Sequence, residues 1–152
     1  MDEYFMQAAL DEAKKAFERK EVPVGAVLVY RGNVIAKAHN LVESKKDATA
    51  HAEMLCLQKG AAIFGNWRLL EMTLYSSLEP CSMCAGAMLL SRIQRLVYGA
   101  EDFRHGAHVS FSDLLQKKHP THSIEIKGGV LEEASQFLLK EFFKQRRLDA
   151  TA

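Results

Sequence analysis

The sequence predicts one domain of the α/β or α+β class, with a mixed sheet between helices on both of its faces. Its 152 residues are enough for a single sizeable core and too few for two, so we expect residues 1–152 to form a single domain. Short apolar, β-branched segments alternate with longer segments of helical spacing, in the order α-β-β-α-β-α-β-(β)-α. Apolar residues make up 48% of the chain, which excludes a disordered or fibrous protein.

The N-terminal part predicts a helix followed by a β-hairpin. Apolar residues recur at helical spacing over residues 4–20, opposite a face of Lys and Glu residues. Residues 22–30 are apolar and β-branched, and a second apolar segment covers residues 34–38. The two segments predict antiparallel strands that turn at Gly32-Asn33.

Beyond residue 38 the sequence predicts three helices, three strands and two longer loops. Helices are expected at residues 50–64, where Gly65-Asn66 follows, at residues 81–91 and at residues 131–147. Strands are expected at residues 72–78, 96–98 and 124–127. The loops are the polar segment 43–47 and the histidine-containing segment 101–110.

Charge, hydropathy and cysteine content indicate the cellular compartment of the protein and the kinds of partner that it can bind. No apolar run approaches the roughly 20 residues of a membrane helix, and the acidic N-terminus does not resemble a signal peptide. Of the three cysteines, two are only three positions apart, which favours a metal or redox site over a disulfide framework. We therefore expect a cytosolic protein with no membrane partner. The net charge of +1 means that a nucleic-acid partner requires a local basic patch.

Two short motifs carry the predicted chemistry, each at the start of a helix: residues 51–53 (His-Ala-Glu) and residues 80–84 (Pro-Cys-Ser-Met-Cys). The three-residue offset places Cys81 and Cys84 on one helical face, and the free N–H groups of a helix start favour their thiolates. His51 supplies a nitrogen ligand. Three ligands of this type leave one tetrahedral position open, which is typical of a catalytic zinc site.

Glu53 completes the pattern. It lies two residues from a ligand, close to the metal without binding it, where a carboxylate can transfer protons. The order H-x-E followed by P-C-x-x-C is the signature of zinc-dependent base deaminases. We therefore predict a hydrolytic deaminase with zinc held by His51, Cys81 and Cys84 and with Glu53 as its catalytic acid and base.

Three other interpretations of these motifs stay open at the level of sequence. The cysteine pair also fits a thiol oxidoreductase. A structural zinc would need a fourth ligand, for which Cys56 is the first candidate, although its apolar helical segment favours a buried inert thiol at that position. The remaining histidines are further candidates for that ligand: His39, His105, His108, His119 and His122. A zinc-stabilised binding subunit without activity is the third interpretation, and the presence of Glu53 argues against it.

At these residues the sequence resembles the bacterial tRNA adenosine deaminases of the cytidine deaminase-like superfamily, which convert the wobble adenosine of a tRNA anticodon to inosine. The resemblance extends over nearly the whole chain. The zinc motif alone indicates only the superfamily, whereas the long match around the cysteines and the double-Phe basic tail indicate the tRNA enzymes. The segments that carry it are residues 21–29, 40, 49–53, 73–75, 78–88, 91–93 and 142–147.

The resemblance implies a three-layer α-β-α fold with a five-stranded mixed sheet, one zinc ion per subunit, a homodimer and a tRNA anticodon stem-loop as substrate. It implies that Asn40 hydrogen-bonds the flipped adenine, and that the stretch from Ala100 to Asp102 lies beside neighbouring nucleotides. The full set of residues that we expect to contact the substrate is Asn40, Ala52, Leu78, Ala100, Asp102, Phe143, Arg146 and Arg147.

The end of the chain favours RNA over a small free substrate, because basic residues alternate with Phe142 and Phe143 there. The alternative is a deaminase of a free base or nucleoside such as guanine or cytosine, which would use the same zinc site. Two positions depart from the family. Ala48 stands where Pro is usual, and segment 101–110, with its bulky His108, replaces a loop usually richer in Gly and Ala.

Overall fold

The computed structural model describes residues 1–151, in which the longer helices and the strands follow one another in the predicted order, whereas a short helix begins at Val42 and replaces most of the loop predicted at 43–47. The helices are α1 (Asp2–Glu18), α2 (Val42–Lys45), α3 (Ala52–Phe64), α4 (Ser82–Leu90) and α5 (Glu132–Thr151). The strands are β1 (Gly25–Tyr30), β2 (Asn33–His39), β3 (Met72–Leu78), β4 (Arg95–Ala100) and β5 (Glu125–Lys127).

The strands of this part of the chain form one five-stranded sheet in the order β2-β1-β3-β4-β5. Strand β1 is antiparallel to both β2 and β3, whereas β3, β4 and β5 are parallel to one another. The predicted mixed sheet is therefore confirmed. Helix α4 connects the parallel strands β3 and β4. The helix therefore starts at the end of β3.

Helices cover both faces of the sheet, as the three-layer prediction requires. Helices α1 and α5 contact one face, and α3 contacts the other face with α4 beside it. Strand β1 shows why both faces are buried. Ala26 and Leu28 belong to the core under α3, whereas Val27 and Val29 belong to the core under α1.

Element ends differ from the sequence predictions by a few residues, for local reasons. The hairpin turns at Arg31-Gly32 and not at Gly32-Asn33, because Asn33 pairs with Tyr30 across the two strands. Arg31 and Gly32 have φ angles of 49° and 79°, the positive values that a tight hairpin turn requires. The first strand begins at Gly25 and not at residue 22, since Pro23 has no N–H to donate to a ladder.

Gly25 fixes the approach of α1 to the sheet. A Cβ atom at this position would lie 2.0 Å from the carbonyl oxygen of Ala9 and 2.5 Å from the nitrogen of Ala13. The absence of a side chain therefore lets the helix backbone lie directly against β1. None of the helices in residues 1–151 combines the length and the apolar character needed to cross a membrane.

Candidate metal centre and active site

Two helix starts converge at one end of the sheet and bring the predicted metal ligands together. His51 precedes α3 and Cys81 precedes α4, both with extended backbone angles, and their carbonyl oxygens accept the first hydrogen bond of each helix. Cys84 lies in the first turn of α4. The sequence predictions of these helices began one or two residues too early, because His51 and Cys81 are the residues that flank the helices and not their first members.

The donor atoms fit a tetrahedral zinc ion. Nδ1 of His51 lies 3.6 Å from Sγ of Cys81 and 3.5 Å from Sγ of Cys84. Zinc bonds of about 2.3 Å to sulfur and about 2.1 Å to nitrogen, at a tetrahedral angle, place these atoms about 3.6 Å apart. All three donor atoms lie within 4.8 Å of one another. One nitrogen and two sulfurs therefore form a three-ligand zinc site with a fourth position left to other groups.

The two thiols of the cluster differ in their protonation. A hydrogen bond from Cys84 lowers the pKa of Cys81 to about 3, and the nearby His51 acts in the same direction. Donating that hydrogen bond, together with burial, raises the pKa of Cys84 above its ordinary value. The sequence predicted thiolates at both positions from the helix start alone. The second thiolate instead depends on the positive charge of a metal ion.

Glu53 lies one residue inside α3 and is almost fully buried, with 3% of its surface exposed. Burial is the main cause that raises its pKa to about 7, while the nearby His51 opposes this change. Its side chain also lines the same pocket as His51 and Cys81. The carboxyl group is therefore placed beside the ligand cluster and shielded from solvent.

Cys56 does not join the ligands. Its side chain is fully buried, and its thiol lies 3.6 Å from the carbonyl oxygen of Ala36, to which it donates. Burial also raises its pKa, which disfavours a metal-binding thiolate. Among the residues that the structure describes, the cluster of potential metal ligands contains His51, Cys81 and Cys84. The geometry therefore favours an open zinc site over the four-ligand alternative.

A cavity of about 360 Å³ leads from the surface to the ligand cluster. It is bounded by the end of β3, the starts of α2 and α3, the loop after β4 and the last turns of α5. Six of the residues expected to contact substrate line it: Asn40, Ala52, Leu78, Asp102, Phe143 and Arg146. Two others do not: Ala100 is buried at the end of β4, where it pairs with Leu78, and Arg147 is exposed beyond the rim.

Asn40 is held in place by backbone groups on both sides of its amide. Its Nδ2 donates to the carbonyl oxygen of Val22 at 3.2 Å, and its Oδ1 accepts from the N–H of Val42 at 3.2 Å. A side-chain amide has a second N–H and a second lone pair. Asn40 is 8% exposed and lines the cavity, so these remaining groups form a polar point of fixed position on the cavity wall.

Phe142 and Phe143 are neighbours in α5, but they have different surroundings. Phe142 is 5% exposed and packs edge-to-face against Phe17 of α1, which makes it a core residue. Phe143 is 37% exposed and lines the cavity, with the guanidinium group of Arg104 5.9 Å from its ring centre. Arg146 also lies on this rim. The rim of the cavity therefore combines an accessible aromatic ring with two arginines.

Two buried carboxylates that the sequence analysis did not single out secure the sides of the cavity. Glu21 is 1% exposed and accepts hydrogen bonds from the N–H groups of Glu43 and Ser44 at 2.9 and 2.6 Å. Glu79 is also 1% exposed and binds the loop after β4. The signal in the sequence was an acidic residue beside apolar ones, in Glu21-Val22 and Leu78-Glu79, because such residues are rarely buried without partners.

Comparison with known proteins places this site in a family. Residues 1–100 match the family model described as the cytidine and deoxycytidylate deaminase zinc-binding region. The tRNA-specific adenosine deaminases of Bacillus subtilis (strain 168) and Aquifex aeolicus (strain VF5) are each 48% identical to the chain. The alignments cover 96% and 95% of this chain and 91% and 95% of those proteins.

Solved structures give the same relationship. A structure from a study of A-to-I editing by tRNA:A34 deaminases has a TM-score of 0.86 and 42% identity, and the match covers 90% of this chain and 99% of that one. A guanine deaminase from Nitrosomonas europaea has a TM-score of 0.81 and 26% identity, over 92% of this chain and 83% of that one. The chain therefore belongs to the zinc-dependent cytidine deaminase-like family and, within it, to the tRNA-specific adenosine deaminases.

Proposed function

We propose that this protein hydrolyses the wobble adenosine of a tRNA anticodon to inosine and releases ammonia. The observation that carries the proposal is the position of the buried Glu53 beside a three-ligand metal cluster, at the end of a cavity whose rim bears Phe143 and Arg146. The cluster and Glu53 support deamination, and the aromatic and basic rim supports an RNA loop as the substrate.

In the proposed mechanism His51, Cys81 and Cys84 would hold one zinc ion, and a zinc ion held there would supply an activated water molecule for hydrolysis at C6 of adenine. Glu53 takes one proton of that water and delivers it to ring N1. It then transfers the second proton from the new C6 hydroxyl to the amino group, which leaves as ammonia. C6 becomes the carbonyl of inosine, and Glu53 returns to its starting state.

The cavity walls orient the base and reduce its contact with water. Asn40 offers one free N–H and one free lone pair to the base edge, since its other two groups are bound to the backbone. Ala52 and Leu78 provide apolar contact beside the metal cluster. The target base must leave its stack to reach this depth, and an anticodon loop presents such bases at low cost.

A deaminase of a free base is the second candidate, because the structure resembles a guanine deaminase as well. Purified protein loaded with zinc should be incubated with free adenosine, guanine and cytosine, and with an RNA stem-loop whose anticodon begins with adenosine. We expect inosine in the stem-loop and release of an equal amount of ammonia. Turnover of a free compound without turnover of the stem-loop would overturn the tRNA proposal.

We further infer that the protein acts as a homodimer of single-domain subunits in the cytoplasm. Support for the dimer comes from large apolar side chains that are 53–66% exposed near the C-terminal ends of α3 and α4: Ile63, Trp67, Leu70 and Leu90. The N–H of Leu69 donates to the carbonyl oxygen of Ser91, which brings the two parts of this surface together.

Light scattering tests the dimer directly. We expect the native protein to have twice the mass of one chain and Leu90→Asp to shift it toward a single chain, because an apolar interface does not accept a charge. Leu148→Asp is the matched control, since Leu148 is 56% exposed on α5. A native protein of single-chain mass would rule the dimer out.

A further inference from the structure

Glu79 is a buried carboxylate at the junction between β3 and α4, two residues before the metal ligand Cys81. Its carboxylate oxygens accept hydrogen bonds from the loop that follows β4. The N–H groups that donate to it are those of Asp102 at 3.1 Å, His108 at 2.9 Å, Val109 at 2.9 Å and Ser110 at 3.2 Å. The hydroxyl group of Ser110 donates as well.

No Lys, Arg or His side chain in residues 1–151 forms a salt bridge with Glu79. The negative charge is therefore balanced by oriented backbone N–H groups, an arrangement that binds anions in concave loops. Buried charges without such partners are costly, so the carboxylate and this loop conformation depend on each other. Loss of the Glu79 carboxylate would remove the acceptor that the N–H groups of residue 102 and of residues 108–110 share.

The loop also approaches the backbone of the metal site. Gly106 pairs with Cys81 in an isolated antiparallel bridge, and the N–H of Ala107 donates to the carbonyl oxygen of Pro80 at 2.8 Å. A Cβ atom on Gly106 would lie 2.3 Å from the carboxyl carbon of Glu79. Glycine at this position is what allows the loop to pass close around the carboxylate.

We propose that Glu79 is a positioning residue for the substrate, because it fixes the loop of residues 101–110 as one wall of the active-site cavity. The loop places Asp102 and His105 on the cavity lining and carries Arg104 to the ring of Phe143. Glu79 itself is 1% exposed at the base of this wall, where it borders the cavity, and it acts through the loop that it holds. The identity of the substrate in this proposal rests on the proposed RNA function. The anchoring of the loop by Glu79 does not depend on that function.

The anchor explains how this chain accommodates an unusual loop sequence. The backbone donors and the single Ser110 hydroxyl leave the other side chains of the loop unconstrained by Glu79. The side chain of Phe103 is 79% exposed, so a substitution there should leave the anchored backbone in place. Glu79 sets the position of the backbone that carries Phe103 and Arg104.

Hydrogen exchange tests the anchoring step without activity. In the zinc-loaded protein, Glu79→Gln keeps the shape of the side chain but replaces one acceptor oxygen with a donor. We expect the amides of residues 102 and 108–110 to exchange on the order of tenfold faster, with unchanged exchange in β1 and β3. Unchanged exchange in the loop would overturn the proposal.

Kinetics on the RNA stem-loop test the positioning step. We expect Glu79→Gln to raise KM by about tenfold and to change kcat by less than about threefold, with zinc retained, because the wall contributes to binding and not to proton transfer. Glu79→Asp should recover part of the affinity. Asp113→Asn is the matched control, since it removes a negative charge from an exposed side chain just beyond the loop.

A second variant covers the case in which Glu79→Gln does not fold. Ser110→Ala removes one donor and leaves the carboxylate buried, so we expect faster exchange at residues 108–110 and a KM increase of about two- to threefold. A normal KM with a loosened loop, in either variant, would refute the positioning role. If the native protein does not act on the stem-loop, the proposed function fails, whereas hydrogen exchange still decides whether Glu79 anchors the loop.

Discussion

The Nδ1 atom of His51 lies 3.5 Å from the Sγ atom of Cys84, although 33 residues separate them in the sequence. The two residues are brought together because α3 and α4 begin at the same end of the sheet. This contact has the length expected for two ligands of one zinc ion.

The first prediction concerns metal content. We expect the native protein to hold about one zinc ion per chain, and His51→Ala, Cys81→Ala or Cys84→Ala to lose most of it, because two ligands bind zinc far more weakly than three. Elemental analysis of the purified proteins measures this. Cys56→Ala is the matched control and should keep its zinc, since its thiol donates to Ala36 instead. Absence of zinc from freshly purified native protein would favour thiol redox chemistry.

The second prediction separates Glu53 from the ligands. We expect Glu53→Ala to retain zinc and to lower kcat by at least about 10²- to 10⁴-fold, because general acid and base catalysis is worth that much. Ammonia release and zinc content should be measured on the same sample. Glu18→Ala, at an exposed position of α1, is the control for the loss of one carboxylate. Full activity of the Glu53 variant would disprove the mechanism.

The third prediction concerns the rim of the cavity. Phe143→Ala should raise KM for the stem-loop by about 5- to 150-fold, since stacking of a base on an aromatic ring is worth about 1–3 kcal/mol. Arg146→Ala should weaken RNA binding and reduce the slope of log K against log salt by about one. Phe137→Ala is the control, because Phe137 is 63% exposed on the same helix but does not line the cavity. An equal effect at Phe137 would contradict a specific role for the rim.

The fourth prediction concerns stability and pH. Both oxygens of Asp2 accept hydrogen bonds from Arg95, at 2.7 and 2.8 Å, and Tyr75 donates to the same carboxylate. Arg95 is the main cause that holds the pKa of Asp2 far below its ordinary value. Because the pKa of Asp2 is lower in the folded than in the unfolded protein, its ionised carboxylate stabilises the fold at any pH above the unfolded pKa of about 3.9. This stabilisation is lost as the pH falls from there toward the folded-state pKa.

We therefore expect Asp2→Asn to lower the free energy of unfolding by about 1–3 kcal/mol at pH 7 and equally at pH 5, since the lost bonds are charge-assisted. The difference from the native protein should shrink at pH 3.5, where the unfolded carboxyl group takes up a proton. Urea unfolding at the three pH values measures this. Asp11→Asn, on the exposed side of α1, serves as the control. A difference that grows toward pH 3.5 would contradict the sign.

Much of the fold was predictable because it depends on local patterns. Segments 4–20 and 131–147 show helical spacing, and segment 25–30 is apolar on both faces, as a strand covered by two layers requires. The exact ends were not predictable. Whether Asn33 belongs to the turn or to the strand is decided by its pairing with Tyr30, which local composition does not encode.

The sequence by itself predicted the metal ligands and Glu53, since ligand chemistry and spacing along a helix are local properties of the chain. The tertiary structure decided which other residues reach the site. Phe142 and Phe143 are adjacent and chemically identical, yet Phe142 packs against Phe17 of α1 and is 5% exposed, whereas Phe143 is 37% exposed at the cavity. Glu21 and Glu79 became recognisable only when their backbone partners, at least 22 positions away, were in place. Burial and long-range hydrogen bonds depend on the arrangement of the whole chain, and no local pattern specifies them.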